Sequence, residues 1–114
     1  MLHKNLEVWK RSMTLVLNIY GETKRFPTEE RFGLSQQMRR AAVSIPSNIA
    51  EGAARKSPNE LKQFLFIALG SLSELETQVL VSSKLGFLGD HFENLQNELD
   101  QIRKMLQGII NNIS

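Results

Sequence analysis

Between Gln36 and Ser57 the chain reads QQMRRAAVSIPSNIAEGAARKS, and this run restricts the available folds more than any other. Met38, Ala41, Ala42, Ile45, Ile49 and Ala53 recur at spacings of three and four, so on a helix they fall on one inward-facing stripe. Most of them are small. Alanine and glycine let two helix backbones approach closely, which suits a helix packed on both sides better than one lying on a surface. The other face carries Arg39, Arg40, Ser44, Ser47, Asn48, Glu51 and Arg55. That density of hydrogen-bonding groups exceeds what solvent coverage needs, and makes the face the candidate functional surface.

Pro46 lies inside this run. There it removes a backbone donor and crowds the carbonyl of Ala42, at a cost of about 3 kcal/mol in a regular helix interior. The stripe keeps its phase across the proline, so the sequence predicts one helix kinked at Pro46, with Ser44 and Ser47 bonding the freed backbone groups. Two helices broken at Ile45 and Pro46 are the competing arrangement.

The other segments read as helices too. Leu6, Trp9, Met13, Val16 and Tyr20 form a seam on a helix from about Asn5 to Thr23, and Val8, Leu15, Leu17 and Ile19 widen its apolar surface beyond one contact. Thr28, followed by two glutamates, reads as a cap on a short turn leading into the central helix, which ends near Arg55 and Lys56. Ser57-Pro58-Asn59-Glu60 is the clearest boundary: a capping serine, proline at the first helical position, and a glutamate three residues after the cap. The stripe Leu61, Phe64, Leu65, Ala68, Leu69, Leu72, Leu75 and Val79 follows until Leu85-Gly86, with Phe66, Ile67 and Leu80 as surplus apolar surface and Gly70-Ser71 as the expected close crossing. Asp90 with Glu93 reads as another capped start, before the seam Phe92, Leu95, Leu99, Ile102, Leu106, Ile109 and Ile113. Four such helices joined by short loops give an all-α, antiparallel, up-and-down four-helix bundle in a single domain spanning 1–114.

Chemistry is harder to find. The 114 residues contain no cysteine, which removes thiol catalysis, cysteine zinc sites and disulfides, and fits a reducing cytoplasm. No run approaches a signal peptide or the length of a bilayer span, so a soluble cytoplasmic protein without membrane contact is expected. His3 and His91 head no ligand pattern, so no metal or cofactor is expected. Gly33, Gly52 and Gly70 are isolated, and no glycine-rich phosphate loop forms. Ser44, Ser47 and Asn48 have no histidine on their helix to activate a nucleophile; capping or repair of the kink accounts for them, and no catalytic residue is assigned.

Charge is more informative. Residues 1–57 hold ten Lys or Arg against five Asp or Glu, for +5, and residues 58–114 hold four against seven, for −3. Such asymmetry marks either a polyanion surface or self-assembly in which unlike faces meet. Arg39, Arg40, Arg55, Lys56 and Lys62 are the candidate phosphate contacts, gathered into one basic surface if several copies associate. Each also has a plain structural use: Arg55 sits four residues after Glu51, and bundle arginines often join subunits.

At MRRAAVSIPSNIAEGAAR the sequence resembles the four-helix bundle proteins encoded within intervening sequences of bacterial 23S ribosomal RNA genes. The likeness extends over Leu6-Glu7-Val8-Trp9-Lys10, the approach from Phe32 to Arg40, the core Ser44, Pro46, Ser47, Asn48, Glu51 and Gly52, and Leu75-Glu76-Thr77-Gln78. The resemblance implies a ring-shaped homopentamer without catalytic activity. A similar bundle is the accessory subunit of diversity-generating retroelements, where a basic pentamer binds nucleic acid and the reverse transcriptase. Two functions are therefore expected in competition: an oligomeric RNA-binding or scaffold protein, or an accessory module that docks a protein partner through its surplus apolar surface.

Overall fold

The computed structural model describes residues 2–113. It contains four helices, α1 (Glu7–Lys24), α2 (Leu34–Ala53), α3 (Pro58–Lys84) and α4 (Phe92–Asn111), with single 3-10 turns at His3–Asn5, Thr28–Glu30 and Gly89–His91. α1 packs on α2, α2 on α3, α3 on α4, and α4 returns to α1, so α1 and α3 stand at opposite corners. Neighbours run antiparallel: on α2 and α3, Met38 meets Ser82 while Ser44 meets Ser71. The result is an up-and-down bundle measuring 44 × 24 × 20 Å.

α2 is one continuous helix through Pro46, which rules out the two-helix arrangement. All six residues of its stripe are buried, and so is the proline. The side chain that reaches back to the backbone beside the proline is Asn48, not a serine: its Nδ2 donates to the Ser44 carbonyl at 2.8 Å and to Ser44 Oγ at 2.9 Å. The Ser44 hydroxyl itself meets the Ser71 hydroxyl across the helix seam at 2.7 Å. Gly52 marks a close approach between α2 and α3, because a Cβ there would stand 2.9 Å from Phe64 Cβ. Gly70 faces open space and marks no crossing.

The stripe of α1 is rotated from its expected position. Val8, Ser12, Leu15, Ile19 and Thr23 are buried, whereas Met13 and Tyr20 are exposed and Leu6, Trp9 and Val16 only half-buried. Two of the buried positions are hydroxyls that satisfy themselves locally. Ser12 Oγ donates to the Trp9 carbonyl at 2.8 Å and Thr23 Oγ1 to the Ile19 carbonyl at 2.7 Å, so neither leaves an unpaired group in the core.

Ser57 caps α3 as expected, accepting from the backbone N–H groups of Asn59 and Glu60 at 3.2 and 3.4 Å. Neither Thr28 nor Asp90 caps a helix by its side chain; each lies within a 3-10 turn. Gly86, with φ of 82°, ends α3 in the left-handed region that favours glycine. α3 also corrects the expectation that no run has the measure of a bilayer span. An 18-residue window reaches a mean hydropathy of 1.4, with only 33% of it buried in the bundle. The reason is that α3 is apolar on its outer face as well as its inner one: Phe66, Ile67, Leu80 and Val81 are exposed.

Polar groups bridge the exposed edge of the seam between α1 and α4, outside the shared apolar core. Arg11 donates to Gln101, and Asn18 Nδ2 lies 2.9 Å from both oxygens of Glu98. The Glu22 carboxylate takes Arg25 at 2.8 Å and His91 Nδ1 at 2.7 Å. Burial pushes the Glu98 carboxyl above its ordinary value of 4.5, against the opposing pull of the Asn18 hydrogen bond and the Arg11 charge.

Candidate nucleic-acid interface

The five basic residues fall into two groups. Arg39 and Arg40 lie on the second turn of α2, while Arg55 and Lys56 follow its C-terminus and Lys62 opens α3. At 1.5 Å per residue the groups stand roughly 20 Å apart along the bundle. No single phosphate reaches both, so within one chain they form two separate basic groups.

Arg39 is folded back onto α1. Its Nε donates to Thr23 Oγ1 at 2.8 Å, and its guanidinium lies 4.5 Å from the centre of the Tyr20 ring. Thr23 passes its own hydrogen to Ile19, which leaves its oxygen free to accept and fixes the arginine in place. Arg40, on the next position of the helix, points to solvent. At the other end, Arg55 stacks 4.8 Å above the Phe64 ring and stands 3.9 Å from Glu51, an exposed pair that contributes little. Lys56 is exposed and Lys62 half-buried.

A cleft of about 550 Å³ opens between α1 and α2 beside the first group, lined by Tyr20, Arg31, Phe32, Arg39, Arg40 and Val43. Arg31 and Phe32 were not among the residues singled out as phosphate contacts. Both sit at the end of the turn that joins α1 to α2, and the Arg31 guanidinium lies 5.4 Å over the Phe32 ring. Phe32 is 80% exposed. Among the described residues, no carboxylate lies within ion-pair distance of Arg31, Arg39 or Arg40. By contrast, the basic residue of the α3–α4 seam is neutralised: Arg103 pairs with Glu76 at 2.9 Å and with Asp100 at 3.2 Å.

The motif residues divide by role. Pro46 and Gly52 are buried in the α2 seams, Ser44 and Asn48 form the hydroxyl and amide bridge to Ser71, and Ser47 and Glu51 are exposed. A second, mainly apolar groove continues along α1 and α2 past Val43 towards Trp9, Met13 and Pro46. Among the described residues, no three His, Cys, Asp or Glu side chains are grouped to hold a metal ion.

A family model described as 23S rRNA-intervening sequence protein matches residues 4–108 of this sequence. The crystal structure of a protein of unknown function from the S23 ribosomal protein family of Bacteroides thetaiotaomicron VPI-5482 superimposes with a TM-score of 0.86 at 25% identity. The match covers 98% of this chain and 100% of that one. Among curated proteins, no sequence matches it.

Proposed function

The chain belongs to the 23S rRNA-intervening sequence protein family, and from that membership we propose a non-enzymatic cytoplasmic bundle that assembles with copies of itself and holds RNA by its phosphates. The observation that carries the reading is the group Arg31, Arg39 and Arg40, three guanidiniums on one cleft without a carboxylate partner among the described residues. Uncompensated arginines beside one another repel, and a polyanion relieves that repulsion while releasing its own counterions.

Self-association is supported by where the exposed apolar side chains lie. Met13 and Leu17 on α1, and Phe66, Ile67, Leu80 and Val81 on α3, occupy opposite corners of the bundle. Two unlike patches facing apart favour a contact in which the α1 face of one copy meets the α3 face of the next, and such contacts build a ring when the rotation between copies closes. The fivefold count rests on the family resemblance. In such a ring each copy brings its own arginine cleft and its Arg55, Lys56 and Lys62 foothold.

The test is binding to a structured RNA across a salt series, with the mass in solution measured alongside. Affinity should fall steeply with salt, and Arg40→Gln should shallow that dependence by about one counterion per copy engaged. Affinity indifferent to salt and to Arg40→Gln removes RNA from the reading. A mass of 13.0 kDa, that of one chain, removes the ring. The exposed apolar face of α3 also favours a second reading, in which it docks a different protein. Recovery of one stoichiometric protein partner by a chain that binds no RNA would establish that instead.

A further inference from the structure

Phe32 is difficult to explain as part of a solitary bundle or as a plain phosphate surface. It holds its ring in solvent, although burying a side chain of this size would stabilise the protein. It is held there by a hydrogen-bonded turn in which the Arg31 N–H bonds to the Thr28 carbonyl at 3.1 Å and the Gly33 N–H to the Glu30 carbonyl at 3.1 Å. On one side its ring meets Arg31. The cleft beyond it offers a second apolar wall at Val43, an amide at Gln36, and the guanidiniums of Arg39 and Arg40.

Phosphate binding alone requires none of the apolar wall. An unpaired nucleotide uses all of it: a base has a π-face for the aromatic ring, edge atoms for an amide, and a phosphate for an arginine. The volume of about 550 Å³ falls within the roughly 300–1,000 Å³ of small-ligand sites. Charge complementarity selects the same occupant. Arg39 is already locked by Thr23 and Tyr20, and so binds without losing side-chain freedom. Glu29 and Glu30 precede Arg31 on its turn, so the phosphate grip falls mainly to Arg40 and Arg39.

We infer that the cleft between α1 and α2 seats one unpaired nucleotide of an RNA strand, its base stacked on Phe32 against Val43 and its phosphate held by Arg39 and Arg40. This rests on the proposal that the protein binds RNA, and narrows it from any helix or strand to single-stranded segments. Duplex bases stay stacked on one another and offer only their edges.

The experiment compares a fluorescent single-stranded 12-nucleotide RNA with the duplex of the same sequence. Anisotropy is read for the wild type, Phe32→Ala, Phe32→Tyr and Arg40→Gln, with the mass of each checked in solution. Phe32→Ala should weaken single-strand binding by about 5- to 150-fold, leave duplex binding and the salt slope unchanged, and be rescued by Phe32→Tyr. Arg40→Gln should lower the single-strand salt slope by about 0.7 per site. Equal binding of strand and duplex by every variant overturns the nucleotide seat and leaves RNA binding standing; no binding of either RNA overturns both. Affinity lost together with mass makes Phe32 a subunit anchor and overturns the seat, as does polyglutamate competing as well as the strand at equal charge.

Discussion

Replacing Gly52 by alanine tests the packing of the α2–α3 seam, because two effects of opposite sign meet there. Alanine in place of glycine in an exposed helix interior stabilises by about 0.5–1 kcal/mol, since the unfolded glycine has more backbone freedom to lose. At Gly52 the new methyl would stand 2.9 Å from Phe64 Cβ, 3.2 Å from Leu61 Cδ1 and 3.3 Å from the Leu61 carbonyl oxygen. Carbon pairs settle at about 3.5–4.0 Å. Leu61 Cδ1 can swing aside, but Phe64 Cβ and the Leu61 carbonyl move only with the α3 backbone. Overpacking of that kind costs about 1–3 kcal/mol. The net expectation is a loss of about 1 kcal/mol, close to 4 °C in melting temperature for a chain of this size. Gly70→Ala and Gly108→Ala serve as controls, since nothing lies within 4 Å of a Cβ at either. Both should stabilise. Urea unfolding at one fixed protein concentration reads all three, and a Gly52→Ala gain equal to that of the controls refutes the close crossing.

Three further outcomes are expected. Ser57→Ala should lower the stability by about 1 kcal/mol in urea, because its hydroxyl caps the N–H groups of Asn59 and Glu60. Pro46→Ala should raise it by about 1 kcal/mol, the restored helix hydrogen bond outweighing the vacated ring volume and the freer unfolded chain; a fall in melting temperature would show that the packing of the buried ring dominates. Burial holds the Glu98 carboxyl above 4.5, so the folded state keeps its proton longer than the unfolded one, and this group's contribution declines as pH rises above 4.5. Glu98→Gln should therefore match the wild type in acid and outlast it at neutral pH, as followed by melting temperature against pH.

The helices and their order were legible because each carries a long apolar period and one boundary, Ser57-Pro58-Asn59-Glu60, has unambiguous capping chemistry. The α2 stripe was legible for a further reason. Its inner face is marked by small residues that have no use in solvent. α1 was read in the wrong rotation because Ser12 and Thr23 occupy core positions, and hydroxyls that bond to their own helix are invisible to a count of apolar residues. The flank towards the α1–α2 groove carries Trp9, Met13, Val16 and Tyr20, which looks like a core when counted by residue type. Of the expected crossing at Gly70-Ser71, Ser71 meets α2 and Gly70 does not, because which of two neighbours faces the next helix depends on a rotation that a single chain's period does not fix to within one residue. Of the site, Arg39 and Arg40 stood out by their spacing on the polar face. Arg31 and Phe32 lie in a turn without periodicity; the available signal was an aromatic beside an arginine in a segment too short to bury it.

The α1–α4 seam has a consequence for how the bundle breathes. α2 and α3 interlock through small residues and form a stiff spine, whereas the outer edge of the α1–α4 seam is bridged by the side chains of Arg11, Asn18, Glu98 and His91, which water can replace at little cost. Fluctuations should therefore part the bundle along this line as a door parts from its frame, with amide exchange on α1 and α4 outrunning that on the spine. Concentrated salt should loosen the latch first while the arginine cleft, mounted on α2, keeps its footing longer.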